Sequence, residues 1–189
     1  MLRTNLTVLV LLAGMPGIVS AEDAAAKTTQ VKHKTLTLNV PENWKQTPER
    51  SSMRLATYEI KGDGDDGGTA EMAIYSFPGG GGAVEQNISR WIGQFESKGR
   101  KQKVTRGKAG DNDYYVVEVS GTYNKPVGPP IRRQTKPVAG SRMLAVILQL
   151  DSGVYYLKMT GGDEIVKAQA KALRHAFGGS IEGEEEHKD

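Results

Sequence analysis

Gly62-Asp-Gly-Asp-Asp-Gly67 carries the letters of a dinucleotide-binding turn and follows a run that reads as a strand. The chemistry fails on two counts. Three carboxylates in the turn repel a pyrophosphate, and the residues that follow alternate like a strand instead of opening the helix whose N-terminus would hold the phosphate. Asp63 and Asp65 also begin like a calcium loop, but Gly67 stands at the third ligand position and Ile74 where a bidentate Glu is required. An acidic hairpin turn remains, with a weak calcium site through Asp63, Asp65 and Asp66 as its alternative reading.

Gly161-Gly-Asp-Glu164 shares its letters with the Gly-Gly-Asp/Glu-Glu-Phe signature of diguanylate cyclases. Here Ile165 follows, and the segment opens a helix in which the two acids suit the positive end. The run Gly79 to Gly82 lacks the Lys-Ser/Thr of a phosphate-binding P-loop and lets the chain turn. His33, His175 and His187 have no second histidine at ligand spacing, and Glu118 stands where a nucleophile elbow before Ser120-Gly121 needs glycine. Asn87-Ile-Ser89 is a sequon to which no role is given. With no cysteine in the chain, thiol catalysis, thiolate metal sites and disulfides are excluded. The expectation is a chain with no catalytic residues, no cofactor and no metal site.

The surrounding elements follow from periodicity. Leu36, Leu38 and Val40 alternate with polar residues as a half-buried strand that ends at Pro41. Arg54 to Ile60 and Thr69 to Phe77 predict a hairpin across the acidic turn. Val84, Ile88, Trp91, Ile92 and Phe95 fall at helical spacing, with Glu85 in the first turn, Lys98 in the last and Gly99 as the stop. A weak strand around Val104 precedes a strong one from Asp113 to Tyr123. Asn124 to Ser141 reads as a long proline-rich loop. Met143 to Leu150, apolar on both faces, predicts a central strand covered on both sides, hairpinned to Val154 to Thr160. A helix over Asp163 to Phe177 closes the fold on Ile165, Ala168, Ala172, Leu173 and Ala176. Trp91 on the helix stripe and Trp44 after a strand end both read as core.

These elements sit in a chain organised for export. Residues 1–21 read as a signal peptide, with Arg3 before an apolar run and Val19-Ser20-Ala21 as the cleavage site. Residues 22–32 read as a flexible lead, 33–178 as one domain, and 179–189 as a disordered tail holding Glu182, Glu184, Glu185, Glu186 and Asp189. No later apolar run is long enough for a membrane helix. The net charge of +3 is modest, but the basic residues cluster in Lys98 to Lys108 and Lys125 to Lys136. The partner-binding face is therefore placed on the glycine turn and the basic loop, at Gly80, Gly81, Arg132, Arg133 and Lys136. The partner is an unidentified protein or an anionic envelope ligand; nucleic acid is excluded by compartment and by the absence of aromatics among the charges.

Placed in order, Leu38-Asn-Val-Pro-Glu-Asn-Trp44, Met72 to Gly82, the helix with Arg90-Trp91, Val119-Ser-Gly-Thr-Tyr123 and Tyr155 to Gly162 resemble the PsbP-like superfamily over residues 33 to 177. That superfamily includes the extrinsic photosystem subunit PsbP and bacterial DcrB-type envelope proteins, and the blocks look most like a group of bacterial secreted proteins. The resemblance implies an α+β fold, an antiparallel sheet of about six to seven strands flanked by two main helices. It also implies a binding or accessory role, without matching metal or docking residues of PsbP onto this chain. The functional expectation is a non-enzymatic exported binding module of the bacterial periplasm or exterior. The alternatives are an envelope hydrolase with a carboxylate site assembled in three dimensions, and a structural protein that self-associates through a sheet edge.

Overall fold

Alternation of apolar residues with polar ones builds an eight-stranded antiparallel sheet in the order β10-β6-β7-β8-β9-β5-β4-β3. The structure, a computed structural model, describes residues 27–49, 51–62, 68–128, 130–132 and 134–188. The signal-peptide reading of 1–21 and the calcium reading of Asp63, Asp65 and Asp66 lie outside these residues. Its strands are β3 (Trp44–Thr47), β4 (Arg54–Lys61), β5 (Thr69–Ser76), β6 (Lys101–Ala109), β7 (Asn112–Pro126), β8 (Thr135–Leu150), β9 (Gly153–Gly162) and β10 (Glu185–Glu186). A separate hairpin joins β1 (Thr28–His33) and β2 (Leu36–Pro41). The helices are α1 (Val84–Ile92), α2 (Asp163–Ala168) and α3 (Ala170–Ala176).

β8 sits in the middle, as its two-sided hydrophobicity requires. Leu144, Val146 and Leu148 face a core that also holds Leu38, Tyr58, Ile74, Leu157 and Leu173, under α2, α3 and the β1–β2 hairpin. Met143, Ala145 and Ile147 face a second core with Val117, Val119, Tyr156 and α1's Ile88 and Trp91. The predicted hairpins β4–β5 and β8–β9 both form, the first with a register shift between Arg54 and Ala56. Trp44 and Trp91 are both buried.

Six expectations change. The sheet is larger than expected because β3 and β10 complete its edges, and a separate hairpin of β1 and β2 stands beside it. The lead is ordered from Thr28, where β1 pairs β2 from Thr28↔Pro41 to His33↔Leu36. That pairing is made by backbone groups, which a Thr- and Gln-rich stretch supplies without an apolar signal. The first helix stops at Ile92, well before Gly99, since Phe95 leaves the axis to bridge Tyr123. The final helix divides at Gln169, whose side-chain oxygen accepts a hydrogen bond from Trp44 Nε1 at 2.9 Å. The proline-rich loop is in fact the free end of the β7–β8 hairpin, pairing as far as Pro126↔Thr135.

The acidic tail is also ordered. Glu184 is buried against Arg174, Glu185–Glu186 pair with β6, and the His187 backbone N–H donates to the Val104 carbonyl at 2.9 Å. An acidic tail packs when the body offers buried cations and an open strand edge, neither of which composition reveals.

Candidate binding groove

Strand alternation sends Ala56, Tyr58 and Ile60 of β4 and Ala70, Met72 and Ile74 of β5 toward the α2–α3 core. Their neighbours Thr57, Glu59 and Glu71 therefore face the opposite side. On that side α1 packs its Ile88 and Trp91 on β7, β8 and β9, while the β4–β5 half is left to be covered from elsewhere. β6 leaves β7 at Ser120 and β9 leaves β8 at Ser141–Gly162, so the two long strands continue alone as an arm. A register shift between Gly121 and Tyr123 re-aims the arm. Its base is fixed where the Asn124 N–H donates to the Gln94 carbonyl at 2.8 Å and the Glu96 N–H to the Thr122 carbonyl at 2.9 Å.

Between the base of this arm and the face of β4, β5 and β9 lies a groove of about 440 Å³. Tyr123, Lys125 and Val138 come from the arm; Arg54, Thr57, Glu59, Glu71 and Thr160 come from the sheet. The register aligns Glu59, Glu71 and Thr160 as one row across three strands. Arg54 donates to Glu71 Oε1 at 2.8 Å and to Thr57 Oγ1 at 3.2 Å, and its guanidinium lies 5.9 Å from the Tyr75 ring centre. Thr57 Oγ1 in turn donates to Glu49 Oε2 at 3.2 Å.

Behind Tyr123 lies Lys158, from the same face of β9. Its ammonium donates to Gln94 Oε1 at 2.6 Å and to the Tyr123 hydroxyl at 3.3 Å, and sits 5.4 Å from that ring's centre. Burial, with Arg54 nearby, lowers the Lys158 pKa to about 8. Burial also pushes the Tyr123 hydroxyl up to about 12. At neutral pH the groove thus presents a protonated phenol, backed by an amine that is still mostly charged, between the cations Arg54 and Lys125 and the carboxylates Glu59 and Glu71. This arrangement can bind a ligand bearing both an anionic group and hydrogen-bond donors. Among the described residues no group of three His, Cys, Asp or Glu side chains is placed to hold a metal ion.

The residues expected to form one partner face are divided. Gly80 and Gly81 sit over Tyr156: the Tyr156 hydroxyl donates to the Gly80 carbonyl, and a Cβ on Gly81 would stand 2.8 Å from that hydroxyl. Gly80 also neighbours Val154, which pairs with Gln149 at the far end of β8. Arg132 lies in the turn at the arm's tip, and Lys136 pairs with Lys125 along the arm. The span of β8 from Lys136 to Gln149 is roughly 40 Å along the strand. Arg133 lies outside the described residues. Arg54, Glu59, Glu71 and Thr160 drew no functional reading from the sequence, and Tyr123 entered only as the end of the Val119 to Tyr123 strand block. Only the overhanging arm turns that face into a groove.

No protein-family description and no curated protein matches the chain. No helix among the described residues is long and apolar enough to cross a membrane. In fold the chain is similar to the solution structure of cyanobacterial PsbP (CyanoP) from Synechocystis sp. PCC 6803, at 12% sequence identity and a TM-score of 0.48 over 93% of this chain and 99% of that one.

Proposed function

We propose that the chain is an exported, non-enzymatic binding module of the bacterial envelope, and that it takes its ligand in the groove beneath the arm. The observation that supports this reading is the meeting of Arg54 and Lys125 across a groove of about 440 Å³ that also holds the carboxylates Glu59 and Glu71 and is otherwise lined mostly by hydroxyls and small residues. Its ligand carries an anionic group for the two cations and hydroxyls or amides for Glu59 and Glu71. The test is the thermal unfolding midpoint of the chain from Glu22, screened against anionic saccharides and small carboxylates. A ligand that binds the folded state alone adds about 2.7 kcal/mol of stability at a hundredfold excess over its Kd. The expected result is a shift that disappears in Arg54→Ala; a shift that survives that substitution moves the site elsewhere.

A second reading, hydrolysis of an envelope polymer, is favoured by one observation: Glu59 and Glu71 are cross-strand partners in the groove. Directly opposed residues hold their Cβ atoms about 5 Å apart, within range of a shared substrate. Turnover of a glycoside or ester substrate that Glu71→Gln abolishes would establish it. Binding without turnover leaves the module reading.

A further inference from the structure

The arm carries more than the groove requires. Lys125 to Gly128, Ile131, Arg132 and Gln134 to Gly140 are all exposed. Ile131 in the tip is 89% exposed, with Val127 and Val138 also uncovered. Lys125 and Lys136 are direct cross-strand partners, a like-charge pairing that costs stability unless an anion lies against it. Arg132 adds a third cation at the tip, and no acidic residue occurs between Glu118 and Asp151 to offset them. Period-2 alternation places Lys125, Val127, Lys136 and Val138 on one face of the hairpin. The arm therefore ends in an apolar knob ringed by cations.

We infer that this tip docks on an anionic lipid surface, with Ile131 entering the headgroup layer and Arg132 and Lys136 lying against lipid phosphates. Apolar insertion combined with cation–phosphate attraction is the general basis of reversible membrane contact. The size of the tip favours a bilayer over a protein partner. It offers about ten residues, well short of the twenty to thirty a side in an ordinary protein interface, whereas a lipid surface needs no complementary shape.

The test is co-sedimentation of the chain from Glu22 with phosphatidylcholine vesicles, with and without phosphatidylglycerol. That chain omits the apolar residues 1–21, which would bind vesicles by themselves, and keeps every described core residue, all of them between Val31 and Phe177. Binding is expected with phosphatidylglycerol only, weakened by added salt. The double variant R132Q/K136Q should bind roughly 25-fold more weakly, at about fivefold per cation. Ile131→Asp should lose about tenfold or more. K101Q/K103Q, which removes two exposed cations from the β6 edge, should stay within about twofold, and Arg54→Ala in the groove should leave vesicle binding unchanged, so this result stands or falls apart from the groove. Absence of binding to anionic vesicles overturns the inference. So does an equal loss in K101Q/K103Q, undiminished binding by Ile131→Asp, or capture of polyglutamate but not vesicles through the same residues.

Discussion

The guanidinium of Arg174 grips the carboxylate of Glu184 at two points inside the protein, Nε to Oε1 and Nη2 to Oε2, the latter at 2.9 Å, with 5% and 4% of the two side chains exposed. Glu184 Oε2 also accepts from Thr105 Oγ1 at 2.6 Å, so one carboxylate ties the tail to both α3 and β6. Replacing Glu184 with Gln leaves the Arg174 charge buried without its counterion. Such losses cost about 3 kcal/mol. A urea unfolding curve of Glu184→Gln should show a lowered midpoint, and a chain ending at Gly179 should lose at least as much. An unchanged midpoint in both would return the tail to the status of a loose appendage.

Lys158 should leave a mark on the alkaline side of the stability profile. Its folded pKa of about 8 lies below its ordinary value of 10.5, so between these values the unfolded chain holds more protons than the folded one. Stability then rises with pH over that window, by a few kcal/mol at most. Tyr123 acts in the opposite sense from about pH 10 to 12, because its raised pKa keeps it protonated in the fold after the unfolded phenol has ionised. Denaturant titrations from pH 7 to 10 should show the rise in wild type and its loss in Lys158→Met. A variant that keeps the full slope would assign it to another group.

His33 governs the acid side. Burial lowers its pKa, and its Nε2 lies 2.8 Å from the Tyr58 hydroxyl. The unfolded state therefore takes up its proton first as pH falls through about 6.5, and this share of stability is lost below that point. Replacing His33 with Gln should flatten the decline as the pH falls below about 6.5. A decline as steep as in wild type would show that carboxylates alone account for it.

Two glycines should prove irreplaceable for different reasons. Gly81 has a φ of +69°, and a Cβ there would meet the Tyr156 hydroxyl at 2.8 Å and Phe77 Cδ2 at 2.9 Å. Gly161 needs no unusual backbone angle, but its Cβ would stand 2.8 Å from Ala70 Cα and Cβ, on the adjacent strand beside the groove. Each Ala substitution should destabilise by about 1–3 kcal/mol. Gly161→Ala alone should also weaken groove binding. Equal ligand response in the two variants would separate the groove from the β5–β9 contact.

The sheet ends on strands of four and two residues, β3 and β10, and the rest of the β6 edge carries exposed Lys101 and Lys103. Short, charged edges resist strand-to-strand addition. Light scattering of the chain from Glu22 should give a constant monomer mass over a hundredfold range of concentration. A mass that rises toward a dimer would revive the self-association reading.

What the sequence by itself determined was everything that repeats locally. The period-2 runs at Leu36 to Val40 and Arg54 to Ile60, the two-sided apolar strand Met143 to Leu150 and the stripe Val84, Ile88 and Trp91 all announce which face is buried, because burial imposes the period of the element on the residues. The α+β architecture and both tryptophans' places in the core followed from these patterns. Contacts between distant polar groups were left to the tertiary structure. Thr28 to His33 became a strand through backbone pairing that carries no side-chain signature. Glu184 was one acid among several until Arg174 and Thr105 were brought to it from α3 and β6. The same holds for the groove: Arg54 and Glu71 drew no reading from their places in strands, Tyr123 was only the end of an apolar strand face, and the arm that β6 and β9 leave unpaired folds over them. A polar residue's role depends on what long-range packing sets opposite it, and that is encoded by the whole chain, not by its neighbours in sequence.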